Sequence, residues 1–249
     1  MAHIVERTKL TPGTADYQAV SDLFCSHNFN RDTRLEIQSI EAVQNYGLEQ
    51  QFKEKQENYK KTYGHVRVVK LWHGTKTNNV AQILKHNFEV SRHGQNVGHR
   101  FGAGVSFSAS AMYASHYSDK ISVSGCMLLC DVLVSNILQV EENRGQHAVM
   151  QQPPYMPGRF PLRYDTTAKN KDTLDVVVKF EPNSYRPTHV VYFKRTAAPV
   201  REDDFDYCDY DDDDYHYYGD GDDDYCKICD NYECECDDYD NGFYYGPYY

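Results

Sequence analysis

His73 ends an apolar run, Leu71-Trp72-His73-Gly74-Thr75, and is followed at once by the residue whose main chain a ligand can approach without meeting a side chain. An imidazole there can donate or accept a hydrogen bond, and the glycine beside it can offer N–H and C=O to an amide. Further on comes Phe101-Gly102-Ala103-Gly104-Val105-Ser106-Phe107, then Tyr113 and Tyr117, four apart and so on one face of a helix. A histidine, exposed glycine backbone and two aromatic faces make a clamp for a flat, amide-bearing ring. Taken singly, a strand-end histidine is ordinarily packed or solvated, and tyrosines four apart are ordinarily core. Their joint occurrence in one order is what carries the functional reading.

The elements that must position these groups follow from periodicity. Valine-rich Val66 to Trp72 reads as a buried strand that delivers His73 to its end. Val80, Ile83, Leu84 and Phe88 recur on one helical face, so Val80 to Phe88 packs back on the sheet. Ser91 to Arg100 has no periodicity and reads as a polar loop able to cover a ligand. Ala103 to Ser108 and Cys126 to Val134 read as strands, with Ser110 to Ser118 between them as a serine-capped helix. Upstream, Asp16 to His27 and Gly47 to Tyr63 read as amphipathic helices flanking a strand, Leu35 to Val43, in which only the first half alternates. Glu141 to Leu162 reads as a long surface loop. Leu174 to Phe180 and Thr188 to Phe193 are apolar strands joined by a turn-rich link from Pro182 to Pro187. Helices near the start followed by many strands predict an α+β domain.

Charge divides the 249 residues unevenly. Residues 201–249 hold 19 of the 37 acids and two of the 26 bases, so the net charge of -11 resolves into about +6 before that point and about −17 after it. Two segments are expected: a globular domain over 1–199 and an Asp/Tyr-rich disordered tail over 200–249, holding 12 of the 22 tyrosines. The tail also carries Cys226-x-x-Cys229, Cys234 and Cys236. Four thiols that close could ligate zinc, but the spacing is not that of a known finger, and no metal site is expected. Cys25, Cys126 and Cys130 read as buried thiols. With neither a membrane-spanning apolar run nor a signal-peptide core, an intracellular protein of cytoplasm or nucleus with no membrane role is expected.

In order and spacing, these residues resemble the catalytic domain of the poly(ADP-ribose) polymerase family, the diphtheria-toxin-like ADP-ribosyltransferases, and most closely the mono-ADP-ribosylating branch. The resemblance rests on His73-Gly74-Thr75, the helix ending Lys85-His86-Asn87-Phe88, the glycine-rich strand, Tyr164-Asp165-Thr166 and the strands after Val176. It implies split antiparallel β-sheets flanked by helices, NAD as co-substrate, and transfer of ADP-ribose to a protein acceptor with release of nicotinamide. In the roles it implies, His73 bonds a ribose hydroxyl, Gly74 offers its main chain to the carboxamide, and Tyr113 and Tyr117 stack on or flank the nicotinamide; Thr75 is kept as a further cofactor contact. The loop Ser91 to Arg100 is the expected lid on the donor.

Three positions depart from the family pattern. Its central tyrosine falls on Ser106, leaving a hydroxymethyl group where an aromatic wall would stand. The serine that bonds the carboxamide falls on Ala114, with Ser115, kept as a candidate contact, one residue late. The glutamate of chain-elongating enzymes falls on Val176, which cannot accept a hydrogen bond. The catalytic positions are therefore His73, Ser106 and Val176, and single-unit transfer rather than elongation is expected. The alternative is a catalytically silent domain of the same fold that binds NAD, ADP-ribose or a partner. The tail offers Asp, Glu, Tyr and Cys side chains for self-modification, and nucleic acid is left open as an acceptor without being indicated by the composition.

Overall fold

The strand Ser124–Val134 is buried from its second residue to its last, on both faces, and the other elements are arranged about it. The computed structural model describes residues 4–26, 33–89, 100–119, 122–143, 148–197, 225–226 and 231–232. The chain divides into two units, Met1–Ala198 and Pro199–Tyr249.

In chain order the first unit comprises β1 (Glu6–Lys9), α1 (Ala15–Cys25), β2 (Thr33–Gln44), α2 (Tyr46–Tyr63), β3 (Arg67–Thr75), α3 (Thr77–His86), β4 (Val105–Phe107) and α4 (Ala111–Ser115). It continues with β5 (Ser124–Val134), β6 (Ile137–Gln139), β7 (Thr166–Ala168), β8 (Val177–Lys179) and β9 (Tyr185–Ala197). One sheet has five strands in the order β1-β2-β9-β5-β3, antiparallel throughout. The other has four, β4-β8-β7-β6, and is mixed because β6 and β7 run parallel. An α+β architecture with two sheets is observed; the expectation that both are antiparallel is corrected by that one parallel pair.

Strand alternation sends the β5 side chains to two cores. Cys126, Leu128, Cys130 and Val132 meet Val80 and Leu84 of α3, Val105 and Phe107 of β4, and Val177 of β8. Met127 and Leu129, on the other face, meet Val20 and Phe24 of α1 and Ala111, Met112 and Ala114 of α4. Each fully buried aliphatic or aromatic side chain contributes roughly 1.5–3 kcal/mol of transfer free energy. Leu35 and Ile40 share that second core although five residues apart, because the register of β2 against β9 shifts between Ile37 and Ser39. Such a bulge turns the following residues to the other face, which is why alternation fails in the second half of this strand.

Local signals set the helix ends. Asn45 caps α2 by accepting from the Leu48 N–H, and Gly64 ends it at φ 82. Several boundaries differ from the sequence expectation. Strand β3 runs on through Thr75, so His73 and Gly74 lie inside it, opposite Leu128 and Met127. Helix α4 stops at Ser115, because Tyr117 and Ser118 bond the carbonyls three residues back, tightening the last turn. Strand β9 begins at Tyr185, inside the supposed turn-rich link, and β1 and β7 were not expected. The lid loop falls outside the described residues except at Arg100, as does the tail except for Tyr225–Cys226 paired antiparallel with Asn231–Tyr232. Among the described residues no helix is long and apolar enough to cross a membrane.

Candidate active site

Antiparallel pairing with β5 holds His73 in β3, and a main-chain bridge between Trp72 and Ser108 brings the end of β4 alongside, with N···O distances of 2.7 and 2.9 Å. The half-buried His73 ring lies with centroids 4.5 Å from Phe88 and 5.7 Å from Phe107, and its Nδ1 is 2.9 Å from the Ser106 carbonyl oxygen. A carbonyl only accepts, so Nδ1 carries the proton and, in the neutral ring, Nε2 is the acceptor. Phe88 is aimed at the imidazole by Asn87, which ends α3 at φ 68 and donates from Nδ2 to the Tyr185 carbonyl at 2.9 Å.

A methyl group on Gly74 would sit 1.7 Å from the Ala114 carbonyl oxygen and 3.1 Å from the Tyr117 Cβ. The glycine therefore lets α4 lie directly on the backbone of β3. Ser110 begins α4 by accepting from the Tyr113 N–H at 3.2 Å. Tyr113 and Tyr117 bond through their hydroxyls at 3.0 Å, with ring centroids 5.6 Å apart and planes at 53°. A ring held between two aromatic faces needs roughly 7 Å between them, two carbon contact distances. These rings therefore form one continuous wall, not the two jaws of a clamp. Burial, with Tyr117 adding, pushes the Tyr113 phenol well above its ordinary value.

Ser106 lies in β4 between the buried Val105 and Phe107, so its side chain takes the opposite, half-buried face. It pairs with Val178 of β8. Val178 and Val176 share an apolar cluster with Phe101, against which Tyr113 packs. A circuit of contacts results: His73 to Ser106, across the ladder to Val178 and Val176, through the cluster to Tyr113, on to Tyr117 and back to Gly74. Beyond the cluster, Phe101 and Val140 also line an open cleft of about 420 Å³ with Gln139, Glu141, Glu142 and Lys169. Glu142 is ion-paired with Arg100 at 2.7 Å beside it.

Two of the expected positions lie outside this circuit. The Ser115 hydroxyl is buried and donates to the Met112 carbonyl at 2.8 Å, so it faces the core and not the slot. The Thr75 side chain is also buried, with Oγ1 accepting from Asn79 at 3.4 Å, which places it at the start of α3. The remaining positions, His73, Gly74, Ser106, Tyr113, Tyr117 and Val176, are the ones brought together.

Supporting residues escaped the sequence reading. Lys179 and Asp165 form a wholly buried ion pair at 2.7 Å; the ammonium also donates to the Asp165 carbonyl and to Thr166 Oγ1. Burial presses the Lys179 pKa down. Asp165 accepts from the Ser135 and Asn136 main-chain N–H groups, so this pair joins β8, the strand carrying Val178, to β7 and the turn after β5. Asp119 accepts from the Thr77 N–H and hydroxyl at 3.1 and 2.6 Å, capping α3 from a distance, and these bonds hold its carboxyl below the usual range. Arg195 of β9 donates to the carbonyls of Ser115, Asp119 and Ser122 at 2.7, 3.1 and 2.9 Å. A lone lysine in an apolar strand gives no signal by periodicity, nor does an arginine distant in sequence. Tyr164-Asp165-Thr166, noted in the resemblance, was the one available clue.

Comparison with known proteins identifies the class to which this α+β domain belongs. Residues 14–174 match the poly(ADP-ribose) polymerase catalytic domain, about two thirds of the chain, and the chain belongs to that family. A catalytic domain of this family implies NAD+ as the substrate it binds. Among curated proteins the chain is similar to the human protein mono-ADP-ribosyltransferase PARP14, 25% identical over 191 residues. That alignment covers 75% of this chain but 10% of the relative.

Proposed function

We propose that this domain is an NAD-dependent mono-ADP-ribosyltransferase acting on a protein acceptor. The observation that carries the reading is the contact circuit that closes through His73, Ser106, Val176, Tyr113, Tyr117 and Gly74. In it the His73 Nε2 accepts from a ribose hydroxyl while Nδ1 stays tied to Ser106. The main chain at Gly74 faces the carboxamide, and the Tyr113–Tyr117 wall orients the nicotinamide ring. The nicotinamide–ribose bond breaks with its electron pair leaving on the nicotinamide nitrogen. The sugar carbon, cationic in character, then bonds to an acceptor oxygen or nitrogen, whose proton passes to solvent. Val176 offers no group to an attacking ribose hydroxyl, so growth of a chain is disfavoured. The similarity to the human mono-ADP-ribosyltransferase supports single-unit transfer.

A second reading, a silent domain that binds NAD or ADP-ribose, is favoured by one specific pair of features: the hydroxymethyl side chain at Ser106 and the inward hydroxyl of Ser115. Both remove contacts the donor ring would use. Incubating the full chain with NAD labelled in its ADP-ribose part, beside a His73→Ala variant, separates the two. His73-dependent label on protein supports transfer. Retained binding without label supports the silent reading. Absence of binding removes both.

The two-segment organisation, with a separate tail over 200–249 that serves as a self-modification site, belongs to the same proposal. Loss of residues 201–249 is expected to lower self-modification while leaving transfer to an added protein acceptor, and the nicotinamide released with it, unchanged.

A further inference from the structure

Residues 148–164 contain no acid, and they include Tyr155, Arg159, Phe160 and Arg163. The second half of this run is folded tightly on itself. Met156 and Leu162 bond at 2.7 Å, Arg159 closes on Met156 at 3.1 Å and Leu162 on Arg159 at 2.8 Å, with Gly158 at φ 68 in the bend. Tyr155 bridges to Arg163, Tyr164 bonds the Pro154 carbonyl at 3.2 Å, and the Arg163 guanidinium donates to the Pro153 carbonyl at 2.6 Å. The loop is rooted beside β4 by a 2.8 Å bond from Ala103 to Met150.

This hairpin brings three planar groups together. The Arg163 guanidinium lies 3.8 Å from the centre of the Tyr155 ring, and the Phe160 ring centre lies 4.9 Å from that of Tyr155 with the two planes at 57°. Phe160 is the most exposed large apolar side chain among the described residues, at 77%, and Tyr155 is 44% exposed. One exposed phenylalanine is ordinary. Here it adjoins a cation–π pair, in a segment without carboxylates, on a backbone already held in place by its own hydrogen bonds.

We propose that this hairpin is a docking site for single-stranded nucleic acid. Phe160 presents an open aromatic ring to an unpaired base, Tyr155 and Arg163 flank it, and Arg159 meets a phosphate. Bases in a duplex are already stacked on one another, so the surface selects unpaired strands. A purely acidic peptide would satisfy the arginines but has no flat group to cover Phe160, so the exposed ring favours nucleobases. The fixed backbone lowers the entropy lost on binding. Nothing in this site uses the transfer chemistry, and its test is separate from that reading.

The test is fluorescence anisotropy with the full chain and labelled single strands of about 10 nucleotides, within the range of single-strand sites, as both DNA and RNA. The controls are a base-free phosphodiester chain of equal length and a glutamate-rich peptide. At least one single strand is expected to bind more tightly than either control. Phe160→Ala should weaken it about tenfold, Phe160→Trp should retain it, and Arg159→Gln should lower the log–log salt slope by about 0.7. A difference between the DNA and RNA arms tells which sugar is preferred. The proposal is overturned if neither strand binds, if the base-free chain or the peptide binds as well, or if Phe160→Ala, checked for an unchanged melting temperature, has no effect.

Discussion

The imidazole of His73 is held by the main chain of Ser106, not by its side chain, across a 2.9 Å hydrogen bond. The ring's tautomer and direction are therefore insensitive to which residue stands at position 106. What the small residue changes is the half-buried face of β4, which in the proposed site borders the donor ring and carries a hydroxymethyl group in place of an aromatic one.

Ser106→Tyr should therefore tighten NAD binding without disturbing the histidine. An aromatic contact is worth about 0.5–1.5 kcal/mol beyond its area, so calorimetry should record a gain of up to about tenfold. An unchanged dissociation constant would mean that the nicotinamide lies elsewhere.

Gly74→Ala should destabilise the domain, since the added methyl would lie 1.7 Å from the Ala114 carbonyl oxygen, a backbone atom with little freedom to move. Overpacking of this kind costs roughly 1–3 kcal/mol and here belongs at the upper end. Thermal melting should show the loss, together with reduced NAD binding as α4 is pushed away from β3. A melting temperature within a degree of wild type would contradict the close packing.

Lys179→Met removes the cation from a fully buried pair and leaves the Asp165 carboxylate uncompensated. Such a change typically costs about 3–5 kcal/mol. For a domain of this size that is a fall of about 10 °C in melting temperature, readable by calorimetry. A drop of only a degree or two would show that the pair is not buried in solution.

Stability should also respond to pH through His189, whose pKa is lowered by burial, only partly opposed by Asp16 3.5 Å away. In the unfolded chain a histidine titrates near 6.5. Below that value the unfolded state takes up the proton first, so the unfolded chain binds more protons and stability falls with falling pH, levelling once the folded value is passed. Above about 6.5 this contribution is complete and flat. His189→Gln should reduce the difference in melting temperature between pH 5 and pH 7, and an undiminished difference would assign the dependence to other groups.

Much of the architecture is legible from periodicity. Leu48, Phe52 and Tyr59 are the buried face of α2, and Val80 and Leu84 that of α3, as their spacing predicts. The failures have physical causes. Helix α4 is short because its final turn closes on bonds three residues back, which no residue type signals. Ser115 was kept for its chemistry, yet a serine this near a helix end is satisfied by the Met112 carbonyl. His73, Gly74 and Tyr113, singled out for the chemistry of their types, are brought near one another by β3, β4 and α4. Lys179, Asp119 and Arg195 hold those groups through long-range contacts, which a sequence contains only as separate letters.

Strand β9 lies between β2 and β5 in the middle of the larger sheet, although it begins at Tyr185, beyond the last residue of the family match. A recombinant fragment trimmed to the homology boundary would keep His73, Gly74, Tyr113 and Tyr117 and yet lack the plank on which two neighbouring strands close, along with the Arg195 guanidinium that pins three loop carbonyls. Such a fragment would expose the ladder edges of β2 and β5 to one another's copies and precipitate, so any truncated version meant to stay active must extend through Arg195.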